Sequence, residues 1–428
     1  FPEESNLQGL LDCHARGSWC SLSDGKSHET DRLMSEQAEI IYIDAANPFD
    51  SEKGVGGGRT AVVLSAMRVL GGRVAIVGFS DEERDVGRWN EIRIGTTTGR
   101  FFAVCRRRDL ESRFGSANGQ FAKYLARYWR HLVPASSFPV ITRTYTVMWL
   151  ACLRFRHGNL IYYAPGLASP AQVSRKPVLA RVASPLYELL NFASLSRVKD
   201  FAAAADQPAV DAYNRYLASF GMKQRCRSVP TSVDCEFFSH CRSKEQCRES
   251  FGISRDAKVF ISVCRLGREK RIDLALRSFA HVARRNPASL YLIVGDGEHR
   301  SPIERLISEL SLQDQVRMVG QKGRAEVRDY LCSADVAVVA SSVEGFSNSM
   351  LEYLACGLAI VTSRVSGADD IVEAGVNGFV VDPLTELDFA DSMLKALSLE
   401  RAGSESRRIA ECRFGDERLW RSLLGRWL

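Results

Sequence analysis

Short apolar runs alternate with helical stretches through the second half of this chain, and that alternation limits the folds open to it. "KVFISVCR" (258–265), "SLYLIVGDG" (289–297), "QVRMVG" (315–320), "VAVVASS" (336–342), "LAIVTS" (358–363) and "NGFVVDP" (377–383) each suit one buried strand, with helical segments between them. This is the pattern of α/β layers around a parallel sheet. The first half shows it more faintly, with strands expected at "EIIYIDA" (39–45), "RVAIVGF" (73–79), "LIYYAP" (160–165) and "PVLARVA" (177–183). Between the first two lies "GVGGGRTAVVLSAMRVLGG" (54–72), a glycine-rich loop opening a helix.

The halves meet near "SVPTSVDCEFF" (228–238), where Pro and Ser interrupt the pattern. The expected domains are therefore 34–228 and 229–400, both Rossmann-like and doubly wound. A cleft between the carboxyl ends of their sheets is the usual ligand position in such folds. Residues 401–428 are expected to form a helical segment, with Leu419, Trp420, Leu423, Leu424, Trp427 and Leu428 available to pack. Residues 1–33 are polar and patternless, and "MSEQAEIIYIDAANPFD" from Met34 reads like a protein start. The leader is expected to be disordered and outside the fold.

At 428 residues and 45% hydrophobic, the chain has the length and composition of a soluble two- or three-domain protein, with no apolar run long enough to span a bilayer. Its twelve cysteines include no CxxC pair, and Cys226, Cys235, Cys241 and Cys247 match no common zinc spacing. Reduced thiols and a cytoplasmic location are expected. Charge is distributed unevenly. Residues 1–37 carry 3 basic and 7 acidic side chains, residues 38–228 carry 27 and 15, and residues 229–428 carry 27 and 29. The excess positive charge lies in the first half, concentrated over 100–130, and suits anionic lipid, phosphate or nucleic acid.

Two carboxylates, Glu344 and Glu352, flank a predicted helix start in "EGFSNSMLE". Ser349 with Glu352 fits a capping box, and Glu344 suits the positive end of a helix dipole. Their place after a strand end also suits a ligand site. Arg265 and Lys270 follow another strand end, around Gly267, and two cations there suit a diphosphate. The Gly56-Gly57-Gly58 loop lets backbone amides approach an anion. In "SPIERLISEL", Ser301, Pro302 and Glu304 predict a capped helix start.

Taken in order, "VPTSVDCEFF", "SVCRLGREKRIDLALRSFAHV", "LIVGDGEHR" and "EGFSNSMLEYLACGLAIVTS" resemble the retaining glycosyltransferases of the GT-B fold, specifically family 4 with its E-x7-E motif. The resemblance is strongest over about 229–400. It implies two Rossmann-like domains facing a central cleft, with a C-terminal helix packing back. It further implies that Arg265 and Lys270 neutralise the diphosphate of a nucleotide-sugar donor, and that Glu352 holds its ribose hydroxyls. Glu344 then binds donor-sugar hydroxyls with the backbone amides of Phe346 and Ser347. Gly57 and Gly58 let the first domain close over the phosphates. No metal or other cofactor is expected, because Arg and Lys supply the charge.

The chain departs from that family where a His usually follows a first-domain strand. Ser184 stands at the comparable place, His131 and His157 are the candidates to substitute, and Asp370 stands where a Glu is common. The basic first half suggests a glycan or lipid-linked acceptor and an enzyme peripheral on an inner membrane face, with no nucleic acid. Binding to anionic vesicles is then expected to weaken with salt and on replacing Arg106, Arg107 and Arg108 by Ala. A nucleotide-sugar epimerase and a non-catalytic nucleotide-sugar binding protein are the alternatives.

Overall fold

The computed structural model describes residues 39–51, 57–111, 116–133, 135, 137–166, 177–239 and 242–425, the side chains of 51 and 177–184 excepted. The leader expected over 1–33, Gly56, Cys241, Trp427 and Leu428 fall outside the described residues.

The first sheet has eight strands: β1 (Ile40–Ile43), β2 (Val74–Ser80), β3 (Trp89–Ile94), β4 (Thr97–Arg106), β5 (Val140–Thr142), β6 (Leu160–Ala164), β7 (Asp200–Ala203) and β8 (Cys226–Ser228). Their spatial order is β3-β4-β2-β1-β5-β6-β7-β8. All neighbours are parallel except β3 and β4, which form an antiparallel edge hairpin. Strand β1 shows why the sheet is buried on both sides. Ile40 and Tyr42 enter one hydrophobic cluster, while Ile41 and Ile43 enter another, as the two-residue strand period requires.

Helix α1 (Gly57–Leu70) covers the first of these faces. The opposite face is covered by α2 (Ala117–Leu132), α3 (Tyr145–Trp149, widening into a π turn over Leu150–Arg154), α4 (Pro177–Leu195) and α5 (Gln207–Ser219). The run "PVLARVA", expected as a strand, is instead the first part of α4. A seven-residue apolar run cannot distinguish a strand from a buried helix, and Pro177 at a helix start needs no N–H partner. Strands β3, β4, β5, β7 and β8 had no expected counterpart. β5, β7 and β8 are three or four residues long, and β3 and β4 carry arginines on an edge hairpin.

Two short helices, α6 (Cys235–Ser239) and α7 (Lys244–Ser250), lead into the second sheet. Its strands are β9 (Lys258–Val263), β10 (Ser289–Val294), β11 (Val316–Gly320), β12 (Val336–Val339), β13 (Ala359–Ser363) and β14 (Gly378–Val381). They are all parallel, in the order β11-β10-β9-β12-β13-β14, and all six coincide with expected strands. Its helices are α8 (Ile272–Arg285), α9 (Arg300–Glu309), α10 (Arg324–Ser333), α11 (Asn348–Ala355), α12 (Ala368–Ile371) and α13 (Glu386–Ala396). Neither capping box expected here forms. Helix α9 starts one residue before Ser301, so Glu304 pairs with Arg300 instead. Ser349 lies inside α11, and its hydroxyl meets that of Ser347.

Helices α14 (Ala402–Phe414) and α15 (Asp416–Leu424) return the chain to the first domain. Trp420 is buried edge-on to Tyr42, 6.2 Å between ring centroids, and its indole N–H donates to Ser65 Oγ at 2.9 Å. Ser65 Oγ in turn lies 3.2 Å from Ser232 Oγ. Arg68 of α1 bridges Asp416 and Asp234. This is the packing expected of Leu419, Trp420, Leu423 and Leu424, all of them buried.

Arg106, Arg107 and Arg108 do not form an open cationic patch. Arg106 pairs with Glu83 and Asp109, Arg107 with Asp50 and Asp81, and Arg108 with Glu83. Among the described residues, no helix is long and apolar enough to cross a membrane. Eight described cysteines are free thiols, as expected, whereas Cys332 is disulfide-bonded.

Truncating Trp420 leaves a cavity between α1, β1 and α15 and takes the indole donor from the Ser65 hydroxyl, which keeps only Ser232. Trp420→Ala is expected to cost about 3–5 kcal/mol in urea unfolding. Leu387→Ala, at an exposed position, serves as the control. Equal midpoints for the two variants would contradict this packing.

Candidate functional site

In the second sheet the strand order reverses between β9 and β12, so the crossovers leave to opposite sides and open a crevice at their carboxyl ends. The residues singled out in the sequence gather there. Arg265 follows β9 and stays exposed at 53%. Its guanidinium pairs with Glu269 at 2.6 Å and with Glu298 at 3.0 Å. Lys270 sits in the same loop, and its Nζ donates to Glu344 Oε1 at 2.6 Å; the two side chains are only 19% and 13% exposed. Ser341 Oγ donates to the same carboxylate oxygen at 2.8 Å. Glu344, after β12, is thus held by a cation and a hydroxyl.

Ser347 is the backbone N-cap of α11, and its side chain makes no cap bond. Phe346 is buried, its ring 5.7 Å from that of Phe414 and packed against Gly367. Glu352 lies one turn into α11 and lines a cleft of about 520 Å³. Burial pushes its carboxyl up to about 7, and nearby Arg324 partly opposes that shift. The Glu352 carboxyl faces the cleft and does not cap the helix.

The cleft lies between the domains. Gly57, Thr60, Ala61 and Leu64 of α1 form one wall, and Arg265, Asp296, Lys322, Arg324, Asn348 and Glu352 lie opposite. Gly57 has φ +49, a conformation glycine adopts without strain, and it faces open space. Gly58 touches the other domain, since a Cβ there would lie 2.5 Å from Asn348 Nδ2. A second close approach brings Gly166 against Gly345, where a Cβ on Gly166 would sit 3.2 Å from the Gly345 Cα. Asp206 completes the contact by accepting from the Gly367 amide at 3.0 Å.

Arg265, Gly57 and Glu352 thus share the cleft. The Lys270–Glu344 pair lines an adjoining small cavity, and Val263, Cys264 and Ser349 line both. Gly58 belongs to the interdomain contact, and Phe346 to the packing beneath the site. His157 is buried, held by the Phe138 carbonyl at 2.8 Å and edge-on to Trp129, and burial lowers its pKa. His131 is exposed, packed beside Phe102. Neither histidine lines the cleft, so neither stands in for a first-domain site histidine. Ser184 lies in α4, its side chain outside the described residues. Asp370 lines a separate hollow with Thr231 and Arg413, its carboxyl raised by burial and by Asp206.

Sequence reasoning overlooked Lys322, Arg324 and Asn348. Arg324 bridges to Asp234 at 3.0 Å while its guanidinium lies 3.9 Å over the Phe237 ring. Asn348 Oδ1 is buried without a hydrogen-bond partner in the structure. The signal available for the first two was the polar loop "GQKGR" after β11, another strand end in the same sheet. Among the described residues, no group of three or more His, Cys, Asp and Glu side chains could hold a metal ion.

Residues 243–411 match the family described as Glycosyl transferases group 1. N-acetyl-alpha-D-glucosaminyl L-malate synthase of Bacillus anthracis is 29% identical over 159 residues, 37% of this chain and 41% of that protein. The chain spans about two fifths of the length of the first curated relatives it matches. Among solved structures, sucrose-phosphate synthase from Thermosynechococcus elongatus superposes with a TM-score of 0.67 at 17% identity, covering 91% of this chain and 97% of that one. Anabaena HepE in complex with UDP-glucose superposes with a TM-score of 0.66 at 18% identity, covering 90% and 98%. The fold is GT-B: α/β, with two Rossmann-like parallel-sheet domains facing a cleft.

Because the folded protein holds the Glu352 proton more tightly than the unfolded chain does, that group's contribution to stability is full below the ordinary carboxyl value of 4.5 and is lost as pH rises through about 7. Glu352→Gln is expected to remove that decline, worth at most about 3 kcal/mol, in urea unfolding compared at about pH 5 and about pH 8. An unchanged slope in the variant would show that Glu352 is not the group responsible.

Proposed function

We propose that this protein is a retaining glycosyltransferase of family 4, moving a sugar from a nucleotide-diphosphate donor to a hydroxyl of a lipid-linked or cell-surface glycan precursor. The observation that carries the reading is the placement of Arg265, the Lys270–Glu344 pair and Glu352 around the switch point of the second sheet. The family match over this same half of the chain supports it, as does the UDP-glucose complex of a protein with this fold.

In this reading the diphosphate draws Arg265 away from Glu269 and Glu298, and planar guanidinium bonds to phosphate replace surface ion pairs. Lys270 adds a second charge, so the pair neutralises the leaving diphosphate without a metal cofactor. Glu352 accepts from ribose hydroxyls, and Glu344, already fixed by Lys270 and Ser341, accepts from the sugar. The Phe346 and Ser347 backbone amides supply donors at the start of α11, and Gly57 lets α1 close over the phosphates. The bond from the anomeric carbon to the phosphate oxygen breaks, and its electron pair goes to that oxygen. The acceptor oxygen bonds to the same carbon on the same face, and its proton passes to the departing phosphate. A closed cleft strengthens each of these interactions by excluding water.

A thermal-shift screen of UDP-, GDP- and ADP-sugars tests the donor site. One donor class is expected to stabilise the wild type by about 2.7 kcal/mol at a hundredfold excess over its dissociation constant. Arg265→Ala and Glu344→Ala are expected to lose most of that gain. Ribose binding favours the Glu352 carboxylate, so donor affinity should rise with pH through about 7 in the wild type and not in Glu352→Gln. No stabilisation by any donor, or an undiminished response in Arg265→Ala, would refute the reading. Sugar inversion without an acceptor would indicate an epimerase, and donor binding without hydrolysis or transfer a non-catalytic binder.

A further inference from the structure

One face of the first domain carries two features that glycosyl transfer leaves unused. Helices α2 to α5 form a single layer over the sheet. Of the seven large apolar side chains exposed among the described residues, Leu186 at 62%, Leu189 at 63% and Tyr216 belong to α4 and α5, and a fourth, Phe220 at 58%, is the C-cap of α5. The rings of Phe192, Tyr216 and Phe220 lie 4.9–6.0 Å apart and join the two helices into one patch. Such concentration on one surface marks an interaction site, since scattered apolar residues are the ordinary case.

Beside this patch the surface is cationic. From Ser112 to Tyr187 the chain contains no Asp or Glu. Lys123, Arg127 and Arg154 line a groove of about 740 Å³ between α2 and the π turn, with Trp149, Leu150 and Leu153 among its apolar walls. These three cations form no ion pair among the described residues, in contrast to Arg106, Arg107 and Arg108. Trp149 also stands 5.2 Å from Tyr187 of α4, which links the groove to the apolar patch.

We infer that this face docks on an anionic lipid bilayer. The α4–α5 side chains enter the interfacial region, while Lys123, Arg127 and Arg154 meet the head groups. Exposed apolar groups and unpaired cations on one surface are the two components of stable peripheral binding. A nucleic acid would use the cations and leave the leucines in water, so the bilayer fits better. The surface also leads toward the cleft. Arg59 of α1 donates to Asn118 Oδ1 at 3.2 Å, and Thr146 Oγ1 donates to the Asn118 carbonyl at 2.6 Å, beside Gly119 in the groove. Delivery of a membrane-borne acceptor along this route rests on the glycosyltransferase reading; docking itself does not.

The test is co-sedimentation of the full chain with vesicles of phosphatidylcholine, alone or mixed with phosphatidylglycerol, at low and high salt. Binding is expected only with the anionic lipid and should fall as salt rises. Lys123→Glu/Arg127→Glu/Arg154→Glu and Leu186→Ser/Leu189→Ser/Phe220→Ser should each weaken it by about tenfold or more. Arg106→Ala/Arg107→Ala/Arg108→Ala should leave it unchanged, and the donor-induced thermal shift should survive in all three variants. Hydrogen exchange on the wild type needs no substitution and should show vesicle protection confined to α2–α5. Equal binding to neutral vesicles, no binding, protection elsewhere, or preference for RNA over vesicles would overturn the inference.

Discussion

The position of one indole ties the parts of this molecule together. Trp420 belongs to the last described helix, yet it is buried against Tyr42 of β1 and donates to Ser65 of α1. The ion pairs of Arg68 to Asp416 and Asp234 reinforce the same junction. A chain that had finished its second sheet thereby returns to pack on its first. The cleft depends on this return, because Gly57, Thr60, Ala61 and Leu64, which form one of its walls, belong to the helix that Trp420 packs on. A continuous hydrophobic cluster runs from β1 through α1 and α15 into one face of the second sheet.

Around that junction, charge is arranged to be exchanged. Arg265 is exposed and held by two carboxylates, whereas Lys270 and Glu344 hold each other in a more buried setting. Surface pairs such as those of Arg265 contribute little, so a phosphate can displace them at small cost. The Lys270–Glu344 pair costs more to separate, since each partner would lose its counter-charge in a confined place. A ligand is therefore expected to accommodate this pair as a unit. Glu352 differs from both, because burial favours its neutral form until hydroxyl donors arrive.

The second domain was readable because its central strands β9, β10, β12 and β13 are short runs buried on both faces, which writes hydrophobicity continuously into the sequence. The first domain was harder. "PVLARVA" has the composition of a strand and forms a helix, while β7 ("DFAA") and β8 ("CRS") hold too few large apolar residues to read as strands. Both expected N-caps, Ser301 and Ser349, lie two residues past the observed ones, His299 and Ser347, since helix ends depend on how the preceding loop enters. Arg106, Arg107 and Arg108 read as a patch because Asp50, Asp81 and Glu83, which neutralise them, are more than twenty residues away in the chain.

The sequence by itself determined the layered α/β class, the six strands of the second sheet and the side chains at their carboxyl ends, because strand burial and loop chemistry are local properties. Only the tertiary structure decided that Lys270 clasps Glu344, that Glu352 faces α1 across a cleft, and that the open cations lie on α2 and the π turn. Those facts come from strand order and from contacts such as that of Gly58 with Asn348, 290 positions later in the numbering. A linear pattern carries residue types and spacings; which distant charges meet is fixed when the sheets pack.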